Sequence, residues 1–153
     1  MKGNLKMETV KESAAMLRKF FHPNCVVCGS GNICGLNLEF EIERDLSVRA
    51  DFVFSEEYEG YRGVIHGGII STILDGAMCN CMFANGKVAV TAEMTVRYRQ
   101  AVVIGERAEV RARMTRRCGP LYFVEAQVTQ NGQIKTTAKS KYYDKEKREG
   151  KFI

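Results

Sequence analysis

The sequence predicts an α+β domain, with one long buried helix wrapped by a single antiparallel sheet of about six strands. Two observations carry this. Six runs alternate apolar and polar residues over strand lengths, and one central run, from Gly67 to about Phe83, is apolar at helical spacing instead. At 153 residues the chain is the size of one domain and can bury a full core without staples.

The elements follow in order. Met7, Val10, Ala14, Leu17 and Phe21 recur at three- and four-residue steps, predicting a short amphipathic helix. Thr9 and Glu12 stand where a capping box would begin it, and Pro23 ends it. A glycine- and cysteine-rich loop runs from Cys25 to Gly35. Leu36, Leu38, Phe40 and Ile42 then alternate with polar residues, and Leu46, Val48, Ala50, Phe52 and Phe54 repeat the pattern after a turn near Arg44-Asp45. In the central helix Ile70, Ile73, Leu74, Ala77, Met78 and Cys81 form the apolar stripe. Ser71, Thr72, Gly76 and Cys79 leave its other side small enough for close approach of a neighbour.

Four strands follow. Val88, Val90, Ala92, Met94, Val96 and Tyr98 are expected to share a face, as are Ala108 to Met114 and Tyr122 to Val128. Asn131-Gly132 marks a tight hairpin leading into Ile134–Tyr143. The division expected is residues 1–35 as helix and loop, 36–143 as the domain proper, and 144–153 as a charged, mobile tail.

Composition excludes several classes. Lysine and arginine exceed aspartate and glutamate by 23 to 18, a mild +5. Seven of the basic residues fall between Lys135 and Lys151, without the concentrated stripe of a nucleic-acid binder. One helix before the first strand is too little for a helix-turn-helix unit. No run of about 18 apolar residues is evident, so no membrane span is expected. The first twenty residues are charged throughout, unlike a secretory signal. Six cysteines in such a chain fit free thiols in a reducing cytoplasm.

The sharpest motif is His66-Gly67-Gly68 at the start of the central helix. Unpaired N–H groups and the helix dipole there suit an oxygen that gains negative charge, while a simple capping role for His66 explains the same residues. Asp75, nine residues past His66, is a carboxylate on an otherwise uncharged buried helix. It is either a base or nucleophile in a pocket, or half of a structural ion pair with a residue such as Arg97. Cys25 and Cys28, with His22 and Cys34, could offer four zinc ligands, but the spacing is irregular and no metal is assigned. Cys79 and Cys81 read as core residues. Arg97, Arg99, Arg116, Arg117 and Lys139 could meet a phosphate or form a solvated sheet face. Phosphate-loop, dinucleotide, HExxH and GxSxG patterns are absent, and no cofactor is expected.

Taken together, His66-Gly67-Gly68, Asp75 and Val90-Thr91-Ala92-Glu93-Met94 resemble the hot-dog fold thioesterases, in particular the phenylacetic-acid-type acyl-CoA thioesterases. Cys28-Gly29 and Gly35-Leu36 are similar to the N-terminal extension of one branch. The resemblance implies a cytosolic hydrolase of acyl-CoA thioesters, working as a homodimer or tetramer with sites at subunit interfaces. It places the thioester carbonyl at the N–H groups around Gly67 and Gly68, with His66 orienting that loop. Asp75 from the opposite subunit would act as general base or nucleophile, and Thr91 would position the water. Gly60 stands where several relatives carry Asn or Gln beside the carbonyl, and Gly60, Arg97 and Arg99 are the residues expected to contact the substrate. The alternative within the same fold is a non-catalytic acyl-CoA-binding protein.

Overall fold

The computed structural model describes residues 2–144. In order it contains α1 (Lys2–Phe21), β1 (Glu41–Ile42), β2 (Val48–Phe52), α2 (Gly67–Ala84), β3 (Ala89–Tyr98), β4 (Ala108–Cys118), β5 (Leu121–Gln130) and β6 (Gln133–Asp144). The six strands form one antiparallel sheet in the order β1-β2-β4-β5-β6-β3. Register shifts in the β3–β6, β4–β5 and β5–β6 pairs bend it around α2. This is the hot-dog architecture. The expected charged tail lies outside the described residues except for Asp144, which ends β6 and accepts a hydrogen bond from Tyr122.

α2 is the core. Ile70, Ile73, Leu74, Ala77, Met78, Cys81 and Met82 are at most 2% exposed, and burying each larger one contributes roughly 1.5–3 kcal/mol. Under the helix Ala112, Ala126 and Ala138 stand in register across β4, β5 and β6, all buried. Small side chains there leave room for the bulk carried by the helix. By length and composition α2 would also suit a bilayer crossing, contrary to the expectation that no such run exists. Here it is packed as a core helix, with 61% of its residues buried.

The sequence-based expectations need correction in three places. α1 begins at Lys2, so Thr9 lies inside the helix and cannot cap it. The preceding lysine, leucine, methionine and glutamate are good helix formers, and the helix extends back through them. The first strand is only Glu41–Ile42. Leu36 and Leu38 instead donate their N–H groups to Val26 and Val27 carbonyls, at 2.7 and 2.8 Å, because the N-terminal loop lies alongside. Leu38 and Phe40 are still buried, so the alternation marked burial correctly.

The third correction concerns β3. A register shift between Thr91 and Glu93 leaves Ala92 as an extra residue. Thr91 pairs with Tyr142, and Met94, Val96 and Tyr98 pair with Ser140, Ala138 and Thr136. All four partners are buried on the helix side. Thr91 therefore faces inward with Met94, and Val90 and Ala92 do not share that face as alternation had implied.

Candidate active site

The start of α2 is built by close packing around one imidazole. His66 caps the helix, its Nδ1 accepting the Gly68 N–H at 2.9 Å, so the neutral ring carries its hydrogen on Nε2. A Cβ on Gly68 would sit 2.9 Å from that nitrogen. The second glycine is what lets the ring fold over the helix. Gly60 presses from the other side, where a Cβ would lie 3.0 Å from the His66 Cα and 3.2 Å from its Cδ2. The glycine in place of Asn or Gln is thus matched to how close His66 comes.

Tyr98, at the end of β3, donates its hydroxyl to the Gly67 carbonyl at 2.9 Å and lies 2.5 Å from Ser71 Oγ. A cleft of about 640 Å³ opens here, lined by Gly60, His66, Gly67, Ile70, Tyr98 and Arg99 among others. Thr136 forms part of its wall, and its Oγ1 is buried without a hydrogen-bond partner among the described residues. Arg97, one residue before Tyr98, does not line the cleft, since strand alternation turns it to the opposite face.

Asp75 lies further along α2 and is held by two hydroxyls. Thr91 Oγ1 donates to Oδ1 at 2.7 Å, and the Tyr142 hydroxyl donates to the same oxygen at 3.0 Å. Tyr142 also reaches the Asp75 carbonyl at 3.1 Å. Tyr142 is wholly buried. Burial first, and then the charge of Asp75, push its phenol well above the ordinary 10, so it stays a donor. Asp75 makes no ion pair among the described residues, and the alternative pairing with Arg97 is not formed. Along a helix rising about 1.5 Å per residue, Asp75 stands roughly 12 Å from Gly67. One carbonyl cannot touch both within a single chain.

The remaining candidates divide. Arg116 stacks over Phe123 with its guanidinium carbon 3.5 Å from the ring centre, Arg117 lies 5.2 Å above Tyr122, and Lys139 pairs with Glu125 at 3.3 Å. Arg116 and Lys139 belong to a solvated sheet face, whereas Arg117 is an exposed residue over the edge of the core beside buried Tyr122. In the N-terminal loop the ligand atoms of His22, Cys25 and Cys28 lie within 4.8 Å of one another. Cys34, the fourth expected member, is exposed and outside the group. All six cysteines are free. A hydrogen bond from the Cys28 thiol holds Cys25 well below the usual thiol range, and the same interaction raises Cys28. Burial pushes the Cys79 and Cys81 thiols up to about 12.

Tyr98, Tyr142 and Thr136 were not anticipated as site residues. Their signal was a polar atom on the inward face of a strand, beside Val96, Ala138 and Ser140.

The family model described as thioesterase superfamily matches residues 62–137. That segment, from the turn before His66 into β6, carries the thioesterase-superfamily pattern on a hot-dog fold. Among solved structures it is similar to a thioesterase superfamily protein at 22% identity and a TM-score of 0.75. That match covers 78% of this chain, which spans only 59% of the other. A phenylacetic acid degradation-related protein from Ralstonia eutropha JMP134 matches at 19% identity and a TM-score of 0.69, over 86% of this chain and 98% of that one. A hypothetical thioesterase protein with coenzyme A from Streptococcus pneumoniae TIGR4 matches at 19% and 0.67, over 71% and 89%. No curated protein matches the chain at a significant level.

Proposed function

We propose that the protein hydrolyses acyl-CoA thioesters to the free acid and CoA, with Asp75 as general base or nucleophile. The observation that carries this is the setting of Asp75. It is the one charged residue of α2, and two hydroxyls grip one of its oxygens. Among the described residues no group bonds the other oxygen, Oδ2. That oxygen is the one proposed to activate water, with Thr91 fixing the carboxylate's orientation. The coenzyme A-containing thioesterase fold from Streptococcus pneumoniae supports the CoA ester as substrate class.

The carbonyl is proposed to bind at the Gly67 end of the cleft. Because Asp75 of the same chain is too far, a second copy is proposed to supply it. β3 forms one edge of the sheet, and Thr91, Ala92 and Glu93 are exposed along it. An antiparallel partner strand there would bring two sites to the interface of a cytoplasmic homodimer. Arg99 at the cleft wall is the proposed contact for the CoA portion, and Arg97 does not line the cleft.

The test is hydrolysis of an aromatic and aliphatic acyl-CoA panel followed by loss of thioester absorbance, with Asp75→Ala alongside. Turnover falling at least about 100-fold in a folded variant is the expected result. Turnover unchanged by the substitution would remove Asp75 from the mechanism. CoA-ester binding without turnover in the natural protein would favour the non-catalytic binding reading.

A further inference from the structure

We propose that His22, Cys25 and Cys28 form a binding site for a thiophilic divalent cation of the zinc class, which pins the N-terminal extension to α2. The proposal stands whether or not the chain hydrolyses thioesters.

The local fold is arranged for it. α1 ends at Phe21, and His22 continues its last turn by donating its N–H to the Arg18 carbonyl at 2.8 Å. Pro23 then turns the chain into a tight loop, where the Gly29 N–H bonds the Cys25 carbonyl at 2.9 Å. A Cβ on Gly29 would sit 2.2 Å from the Cys25 nitrogen, so only glycine lets the chain close behind the second cysteine. The Val27 N–H points at Cys25 Sγ, 3.4 Å away, and Asn80 Nδ2 donates to Cys28 Sγ at the same distance. Each sulfur therefore has an N–H donor already aimed at it, placed to support it when it ligates a metal.

His22 completes the set with a fixed orientation. Its Nδ1 faces Cys28 Sγ at 3.8 Å, and its Nε2 faces Cys79 Sγ at 3.6 Å on α2. Ligation through Nδ1 leaves the Nε2 hydrogen facing Cys79 Sγ, a weak sulfur acceptor in the outer-sphere place that an oxygen more often takes. Phe83 packs edge-on against the ring at 4.9 Å between centroids and limits its rotation. For a tetrahedral ion with bonds of about 2.0–2.3 Å, the ligand atoms need to close by no more than about an ångström. Two thiolates and a neutral imidazole suit a soft or borderline cation over magnesium or calcium, whose ligands are oxygens. Binding two thiolates neutralises the cation's two charges and releases to solvent any proton still on the Cys25–Cys28 pair.

The probes are Zn²⁺ and Co²⁺. Protein purified with a reductant and no chelator is expected to carry one zinc per chain by elemental mass spectrometry. After stripping, Co²⁺ is expected to restore one equivalent with strong sulfur-to-metal absorption. Cys25→Ser and Cys28→Ser should weaken binding at least about 100-fold, and Cys79→Ala by about 10-fold, as for an outer-sphere partner. Cys34→Ser, outside the cluster, should bind like the natural protein. The natural protein showing neither retained zinc nor sulfur-to-cobalt absorption would overturn the proposal without any variant having to fold. So would a Cys25–Cys28 disulfide found in place of metal after purification without reductant, or cobalt absorption that survives Cys25→Ser.

Discussion

The two ends of α2 share one helix and obey different rules. From Gly67 to Asp75 its outward side is partly open, crowded by His66 and Tyr98 at its first turn, and carries hydroxyls and a carboxylate. From Gly76 to Ala84 every residue but Cys79 is buried. There the N-terminal extension closes over it: Val27 packs against Gly76, and Arg18 Nε donates to Asn80 Oδ1 at 2.7 Å. The small residues that looked alike in sequence therefore differ in use. Gly76 is small because its own chain lies on it, whereas Gly68 is small because an imidazole folds over it.

Substitutions at the two ends should separate activity from stability. The largest effect is expected at Asp75. Asp75→Asn keeps the shape and both hydroxyl partners, and turnover should fall roughly 10²–10⁴-fold with little change in melting temperature. Gly76→Ala should do the reverse. A methyl there would stand 2.4 Å from Val27 Cγ1 and 2.8 Å from Val27 Cβ, so the whole side chain must move. Overpacking of this kind costs about 1–3 kcal/mol, more than the roughly 1 kcal/mol alanine gains as a helix former. Thermal unfolding should show the loss, and Val27→Ala in the same chain should recover part of it.

Smaller changes sharpen the contrast. Tyr98→Phe removes the hydroxyl at the Gly67 carbonyl, and about 0.5–1.5 kcal/mol of stability should go with it by denaturant titration. Thiol labelling at about pH 8 gives the gentlest readout. Exposed Cys34 and Cys118 should alkylate well before Cys79 and Cys81. Cys79 and Cys81, raised to about 12, hold only about one thiolate in 10⁴ at that pH and should label slowly until the pH approaches that value or the protein unfolds. Rapid labelling of Cys79 in the folded protein would mean the extension does not cover α2.

Much of the fold was legible because periodicity reports burial directly. The central helix, the four long strands and the Asn131-Gly132 turn, where both residues have positive φ, follow the pattern. The signal failed where a partner segment decided the outcome. Residues 36–40 look like strand but bond to the loop beside them. In β3 a single extra residue reversed the parity, and nothing in the run Val90–Met94 announces a bulge. For the site, Asp75 and Thr91 were both named from sequence and are in contact. Tyr142 was hidden among inward strand residues, because a buried phenol and a core aromatic read alike until the acceptor is known. His22, Cys25 and Cys28 were discounted for irregular spacing, yet a helix end and a tight turn bring them together.

Gly60 has a consequence for the sequence changes this site can accept. Any side chain there meets His66 backbone and ring at 3.0–3.3 Å, and His66 in turn holds the Gly68 N–H. Residues 60, 66 and 68 are thus one epistatic unit, in which single-substitution effects will not add. A polar group at residue 60 requires the histidine to give by a few tenths of an ångström. The order in which such substitutions occur decides whether the intermediate still caps its helix.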